Sequence, residues 1–358
     1  MIIKENVPIS TLTTMRLGGP ARFVIEIEKP EEIPEAYTFA NERGLPVFVL
    51  SGGANTIGHD EGYPGVIIIN RMKGIAWAGD AAGGTPSARR RQPSTMGEAA
   101  AAGPAQIITV MGGEIWDDVV AYACERNLTG IEALSKIPGL AAAAPVQNIG
   151  AYGQEVADTL VSVEAYDTQD KSFKTLTKDD LKFSYRQSIL NTTEKNRYFI
   201  ISLTLKLTSG QMLHPFYNSI ERYIAEHHCT DFSPQGIREI VSTIRADKLP
   251  DPAKIASAGS FFKNIYLNEN EAKQAEAKGC PVYHGHDGHK INSGWLIEEA
   301  GFKGKLLHGI RVNEKAALVL INESATGYND LAKARQEITD TVYEKFGYKL
   351  EQEPVEIQ

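Results

Sequence analysis

The chain is poor in cysteine. Cys124, Cys229 and Cys280 are widely scattered and odd in number. Such spacing supports neither a disulfide framework nor a zinc ribbon, and it suits a reducing cytoplasm. No run approaches 18 apolar residues, which argues against a transmembrane helix. The opening MIIKENVPIS lacks the long apolar core of a signal peptide. Excess positive charge is also missing: 37 Lys and Arg against 45 Asp and Glu give a net −8. A general nucleic-acid coat is therefore not expected, and any anionic ligand needs a local basic site. What remains is ordinary globular material. The 358 residues are 42% hydrophobic and 23% charged, enough for two or three domains and against wholesale disorder.

The first part alternates strands and helices. FVIEIE (23–28) alternates like a strand. Pro30 then suits a first helical turn, with Glu31 and Glu32 near the positive end and Gly44 just past the close. PVFVL (46–50) and VIIIN (66–70) read as short apolar strands, and WDDVVAYACERN (116–127) as a helix. LVSVEAYD (160–167), KSFKTL (171–176) and YFIISLTLKL (198–207) predict a mostly antiparallel sheet. SPQGIREIVSTIR (233–245) opens with Ser as N-cap and Pro at the first helical position. YNDLAKARQEITDTVYEKFG (328–347) carries Leu331, Ala334, Ile338, Val342 and Phe346 on one stripe.

Residues 78–106 stand apart. They are rich in Ala, Gly, Pro and Ser with Met96 as the one large apolar residue, so they read as a mobile insertion unable to bury a core. Arg89 to Arg91 within it read as a solvated charge run, or alternatively as a phosphate grip.

Two glycine loops follow strands, LSGGANTIG (50–58) and VMGGEIWDD (110–118). Neither fits G-x-G-x-x-G or the Walker pattern, so each alone reads as a tight turn. Beside PGLAAAAPVQNIGAYG (138–153), with Gln147 and Asn148, they instead suggest a chain shaped around a ligand. HGHDGH (284–289) has the density of a metal site, but its glycines suit a hairpin tip, and no metal is expected there. Arg186, among the apolar neighbours of FSYRQSIL, calls for a carboxylate or phosphate, in a structural ion pair or at a ligand. KLPDPAKIASAGSFFKN (248–264) gathers Lys248, Ser260, Lys263 and Asn264 about a small-residue turn, an ordinary loop or a site. Glu353, near the chain end, taken alone reads as a surface carboxylate.

Together these stretches resemble the UDP-N-acetylenolpyruvoylglucosamine reductase (MurB) family. The pieces are TMRLGGPA (14–21), LSGGAN (50–55), VIIINRMKGI (66–75), GGEIWDD (112–118), IPGLAAAAPVQNIGAYG (137–153), FSYRQSI (183–189), KLPDP (248–252), AGSFFKN (258–264), SGWLIE (293–298), ALVLIN (317–322) and LEQE (350–353), in the family's order. Tyr217 and SFFKN resemble its longer type I branch. The resemblance implies an α+β protein with an FAD-binding fold of the vanillyl-alcohol-oxidase (PCMH) type. Its two subdomains are expected at 1–70 and 71–211, and an α+β substrate domain at 212–358. It implies noncovalent FAD, NADPH as hydride donor, and reduction of UDP-N-acetylglucosamine enolpyruvate to UDP-N-acetylmuramate by a cytoplasmic monomer of peptidoglycan precursor synthesis. The same resemblance makes Ser260 the proton donor with Arg186 and Glu353 as companions. It places Ser51, Gly52, Gly53, Ala54, Asn55, Gly113, Pro145, Gln147, Asn148, Gly150, Ala151, Tyr152 and Gly153 on the cofactor, and Tyr217, Lys248 and Asn264 on the substrate.

Those residue types suit the chemistry. Charge building beside an anionic carboxylate is offset by a fixed guanidinium. A carbanionic centre is basic enough to take a serine proton. Glu353 helps only by donating a hydrogen bond, so it must hold or share a proton. Three positions depart from the family pattern: Ala54 for Ser in the GGSN loop, Ala142 for Gly and Asn313 for His. The first two lie near the expected pyrophosphate, where backbone N–H groups are left to carry the role. The alternatives are a sugar or alcohol oxidoreductase of the same fold, and a non-catalytic relative that binds the nucleotide sugar.

Overall fold

The computed structural model describes residues 1–77, 103–212, 214–285 and 288–358. They form two compact units. One comprises Met1–Ile3, Val24–Gly52 and Val66–Arg245, the other Lys4–Phe23, Gly53–Gly65 and Ala246–Gln358. Among the described residues no helix is long and apolar enough to cross a membrane.

The apolar run VIIIN lies in the strand Tyr63–Asn70, parallel to Val47–Leu50 with Val47 opposite Val66. Val66 through Ile69 are all buried, as in a strand covered on both faces. These strands belong to a four-stranded sheet in the order Ile2–Pro8, Pro20–Ile27, Tyr63–Asn70, Val47–Leu50. Helix Glu32–Glu42 begins two residues after Pro30. The Glu32 carboxylate caps its entry by accepting the backbone N–H groups of Glu28 (2.8 Å) and Lys29 (3.2 Å).

The antiparallel sheet runs Ser172–Thr177, Leu160–Asp167, Tyr198–Ser209, Ala105–Met111, Ile75–Trp77, with Leu128–Thr129 also on Tyr198–Ser209. Its register sets Leu203 opposite both Val163 and Val110, all buried. Helix Trp116–Glu125 adds Trp116, Val119 and Val120 to the same core. The expected insertion is shorter than read from composition, because Ala105 and Gln106 pair with Thr208 and Leu207 as the start of a strand. Residues 78–102, with Arg89 to Arg91, lie outside the described residues.

Helix Pro234–Lys248 starts with the Ser233 hydroxyl accepting the Gly236 N–H at 3.1 Å. Its Ile237, Ile240, Val241 and Ile244 pack with Ala133, Phe216 and Ile220. With this apolar stripe the helix joins the first compact unit, which runs on to Arg245.

In the second unit the antiparallel order is Ser257–Ser260, Val319–Asn322, Ile310–Val312, Leu306–Leu307. Val355–Ile357 lies parallel to Thr56–Gly58. Helix Tyr328–Phe346 buries Leu331, Ala334, Ile338 and Val342 in a core shared with Phe261 and Phe262. The strands Val282–Gly285 and Gly288–Ile291 pair antiparallel, with His284 opposite His289. His286 and Asp287 of the histidine motif lie outside the described residues.

One ionic cluster stiffens the hairpin of the antiparallel sheet. Asp167 is fully buried and accepts from Arg197 Nε (3.1 Å) and Nη2 (2.7 Å), while Lys174 Nζ stands 2.8 Å away. Arg197, assisted by Lys174 and two backbone N–H groups, holds the Asp167 carboxyl well below the usual carboxylate range. A depressed native pKa contributes stability that is complete above the unfolded value of 3.8 and is lost as pH falls below it. Asp167→Asn is expected to cost roughly 1–3 kcal/mol at neutral pH and to flatten the acid limb of stability. Urea unfolding from pH 7 to pH 3 measures both, and an unchanged acid limb counts against this role.

Candidate active site

Within the first unit the turn FSYRQS docks on the loop VQNIGAYG. Ser184 and Gln187 exchange backbone hydrogen bonds at 3.1 Å, closing a turn in which Arg186 takes φ +51°. The buried Ser188 hydroxyl donates to Val146 O at 2.7 Å. Arg186 donates from Nη2 to Gly150 O (2.6 Å) and from Nη1 to Asn148 O (3.3 Å), with Glu155 Oε1 at 3.9 Å. A Cβ on Gly150 would stand 3.0 Å from Arg186 Nη1, so a larger residue there would crowd the guanidinium. Asn148 is buried at φ +46°. It donates to Glu155 Oε2 (2.7 Å) and Ser184 O (3.2 Å), and it accepts the Ala157 N–H (3.1 Å). Arginine and loop are therefore fixed by one polar frame.

Further along, Gly150 and Ala151 pair with Glu155 and Gln154. Tyr152 takes φ +49° and meets Tyr217 edge to face, with ring centroids 6.0 Å apart. Burial raises the Tyr152 hydroxyl pKa, while Arg245 beside it pulls the other way. Tyr217 is 47% exposed, so it is available to a ligand.

The glycine loops of this unit are close-approach devices. A Cβ on Gly52 would lie 2.8 Å from Gly139 Cα, and one on Gly113 would lie 2.6 Å from Met72 O. Ser51 Oγ accepts the Leu140 N–H at 3.3 Å, Gly113 N–H donates to Met72 O at 3.0 Å, and Ala142 N–H donates to Gly112 O at 2.9 Å. Asn70 ties the same region by donating to Ile200 O (2.9 Å) and accepting the Met72 N–H (2.8 Å). Pro145 is buried, and Gln147 and Ala142 are partly so. A side chain at 52 or 113 would therefore meet the chain's own backbone, and glycine there is required by chain-on-chain approach.

In the second unit Gly53 takes φ +64° against Leu12 O, and Ala54 and Asn55 follow it, partly buried. Ser260 ends the strand Ser257–Ser260 and is exposed. The register slips between Ser257 and Ser260, a bulge that re-aims the side chain. The flanking Phe261 and Phe262 are buried, which anchors this bulged segment. Glu353 N–H donates to Phe261 O at 2.9 Å, so the chain end lies beside the serine strand. Glu353 precedes the strand Val355–Ile357. Val355 N–H donates to Asn55 O (2.9 Å), and Asn55 Nδ2 reaches Glu353 O (3.5 Å). Lys248 ends its helix, partly buried, and Asn264 Oδ1 accepts the Ser293 N–H at 3.2 Å.

Glu155, Asn70 and Ser188, which no motif singles out, also hold this frame together. Glu155 stands two residues after QNIGAYG, and a carboxylate so near a motif rich in donors was a readable signal. Asn70, at the end of an apolar strand, carried a similar one. At the histidine motif, His284 Nδ1 lies 2.7 Å from His289 Nδ1 and its Nε2 lies 2.8 Å from Glu276.

Residues 251–357 match the family model described as UDP-N-acetylenolpyruvoylglucosamine reductase, C-terminal domain, and residues 92–175 match that of an FAD binding domain. A UDP-N-acetylenolpyruvoylglucosamine reductase of Ralstonia nicotianae is 34% identical over 99% of both chains. One of Pseudomonas aeruginosa is 33% identical over 98% of both. The crystal structure of the reductase of that name from Thermus caldophilus superposes with a TM-score of 0.64 at 22% identity, covering 100% of each chain, a likeness of fold.

Proposed function

The chain belongs to the UDP-N-acetylenolpyruvoylglucosamine reductase family, and from that premise we propose that it reduces the enolpyruvyl ether of UDP-N-acetylglucosamine to the lactyl ether of UDP-N-acetylmuramate in peptidoglycan precursor synthesis. The carrying observation is identity above 30% across nearly the whole chain, with QNIGAYG, YRQS and SFFKN intact. FAD, when bound, supplies to the terminal vinyl carbon a hydride drawn from NADPH. Ser51 to Asn55, Gly113, Pro145, Gln147, Asn148 and Gly150 to Gly153 hold that cofactor without a covalent bond. Ala54 and Ala142 leave pyrophosphate recognition to backbone N–H groups, which need no side chain.

Arg186 faces the substrate carboxylate and offsets the charge that gathers on the neighbouring carbon. Its bonds to Asn148 O and Gly150 O fix the plane of the guanidinium. The Ser260 hydroxyl gives a proton to that carbon, which balances the added hydride. Glu353 orients the same region through a shared proton. Tyr217, Lys248 and Asn264 hold the nucleotide sugar, Lys248 as a point charge for phosphate. Cofactor residues belong to 1–70 and 71–211, and substrate residues to 212–358. The enzyme works as a cytoplasmic monomer on soluble precursors.

The purified protein is expected to be yellow and to release FAD on denaturation. Anaerobic NADPH should bleach it, and the enolpyruvyl substrate should restore the colour. Colourless protein that takes up no added FAD would overturn the reading.

A further inference from the structure

Glu356 sits in the last strand, three residues past Glu353, and no step above uses it. Its carboxylate is a hub. Arg335 Nη1 donates to Oε1 at 2.6 Å, the Tyr328 hydroxyl at 3.0 Å and Gln352 Nε2 at 3.1 Å. His59 Nε2 lies 2.9 Å from Oε2, and since a carboxylate only accepts, that ring nitrogen carries a proton. His59 also stacks on Tyr328, centroids 3.6 Å apart at 20°. Asp60 caps the helix that bears Tyr328 and Arg335, accepting the Tyr328 N–H at 2.6 Å.

We propose that Glu356 and Arg335 are positioning residues, which hold the chain end where the Glu353 N–H bonds Phe261 O, the residue next to Ser260. The proposal rests on the catalytic reading of Glu353 above. Glu353 lies between two ties, the bridge of Phe262 with Gln352 and the bond of Val355 to Asn55. The second tie belongs to a strand of only three residues. So short a strand opens readily unless its side chains are anchored. The Glu356 hub anchors it to the helix Tyr328–Phe346 and to residues 56–60. Fully paired polar networks favour one arrangement over its neighbours, which a greasy contact does not. A displacement of about 1 Å at a reacting group can cost 10²-fold.

The test compares Glu356→Gln with Glu353→Gln in separated half-reactions of the FAD-loaded enzyme, with amide hydrogen exchange of the chain end. Glu356→Gln should keep its FAD and bleach with NADPH at the parent rate. Reoxidation by the enolpyruvyl substrate should slow by roughly 10- to 100-fold, and the Glu353 and Val355 amides should exchange at least about tenfold faster. Arg335→Gln reads the same split from the helix side if the first variant does not fold. Parent-rate reoxidation in both variants overturns the proposal, as does equal slowing of both halves. Should Glu353→Gln itself reoxidise at the parent rate, its catalytic role falls, and this proposal with it. Slow Glu353→Gln beside fast Glu356→Gln removes the positioning role alone.

Discussion

Ser260→Ala is expected to bleach normally with NADPH and to reoxidise with the enolpyruvyl substrate roughly 10²–10⁴-fold more slowly, the usual worth of a positioned general acid. The asymmetry follows from proton bookkeeping. Flavin reduction asks for no proton at a substrate carbon, whereas saturation of the vinyl ether asks for one. Ser260 is exposed at the end of a bulged strand whose next two residues, Phe261 and Phe262, are buried. Loss of one hydroxyl at such a place removes no core contact, so FAD content and thermal midpoint should stay at parent values. Ser260→Cys should recover part of the rate, because a thiol also donates a proton. Stopped-flow flavin absorbance, taken for each half under anaerobic conditions, decides the matter. Equal slowing of both halves would make Ser260 a pocket-shaping residue. If neither half slows, the proton comes from elsewhere.

The second large effect is expected at Arg186 and Glu353. Arg186→Lys should lower turnover by roughly 10²–10³-fold, the typical worth of one preorganised electrostatic group. Arg186 spreads one planar fork over Asn148 O and Gly150 O, with Glu155 at its edge. An ammonium cannot span that set and still present a second face to a carboxylate. Glu353→Gln should fall in the same range, since an amide donates from nitrogen but cannot hold the shared proton. Folding should suffer little in either variant. Arg186 is only partly buried, and the bond that ties Glu353 to Phe261 is made by its backbone N–H. Steady-state rates set against urea midpoints test the pair. Near-normal turnover in both would remove them from the mechanism.

Much of this protein was legible in its amino-acid order, because the relevant signals are local. Alternation marked 160–167 and 198–207 as strands, and the structure has Leu160–Asp167 and Tyr198–Ser209. Ser233 before Pro234 marked a helix start that the Ser233 hydroxyl does cap. The 3.6-residue stripe of 328–347 foretold the four side chains that helix Tyr328–Phe346 buries, Leu331, Ala334, Ile338 and Val342, while Phe346 is only partly buried. Composition misled at 105–106, where small and polar residues read as insertion although they pair in a strand. Pairing depends on a partner strand a hundred residues on, and no local property reports it.

The site divides in the same way. The motifs alone brought Arg186, Ser260 and the glycine loops to notice, since those residue types at those spacings carry chemistry or close turns. Only the folded chain decided what Arg186 holds: carbonyls of a loop 36 and 38 residues earlier, and the unforeseen Glu155. Glu353 is the sharper case. Read singly it was a surface carboxylate near a chain end, and nothing around it in the sequence says otherwise. Its backbone bond to Phe261 and the Glu356 hub exist because distant segments pack together. Sequence determined which groups the chain possesses and which elements bear them. Tertiary structure decided which of them meet, because hydrogen bonds act over about 3 Å in space without regard to separation along the chain.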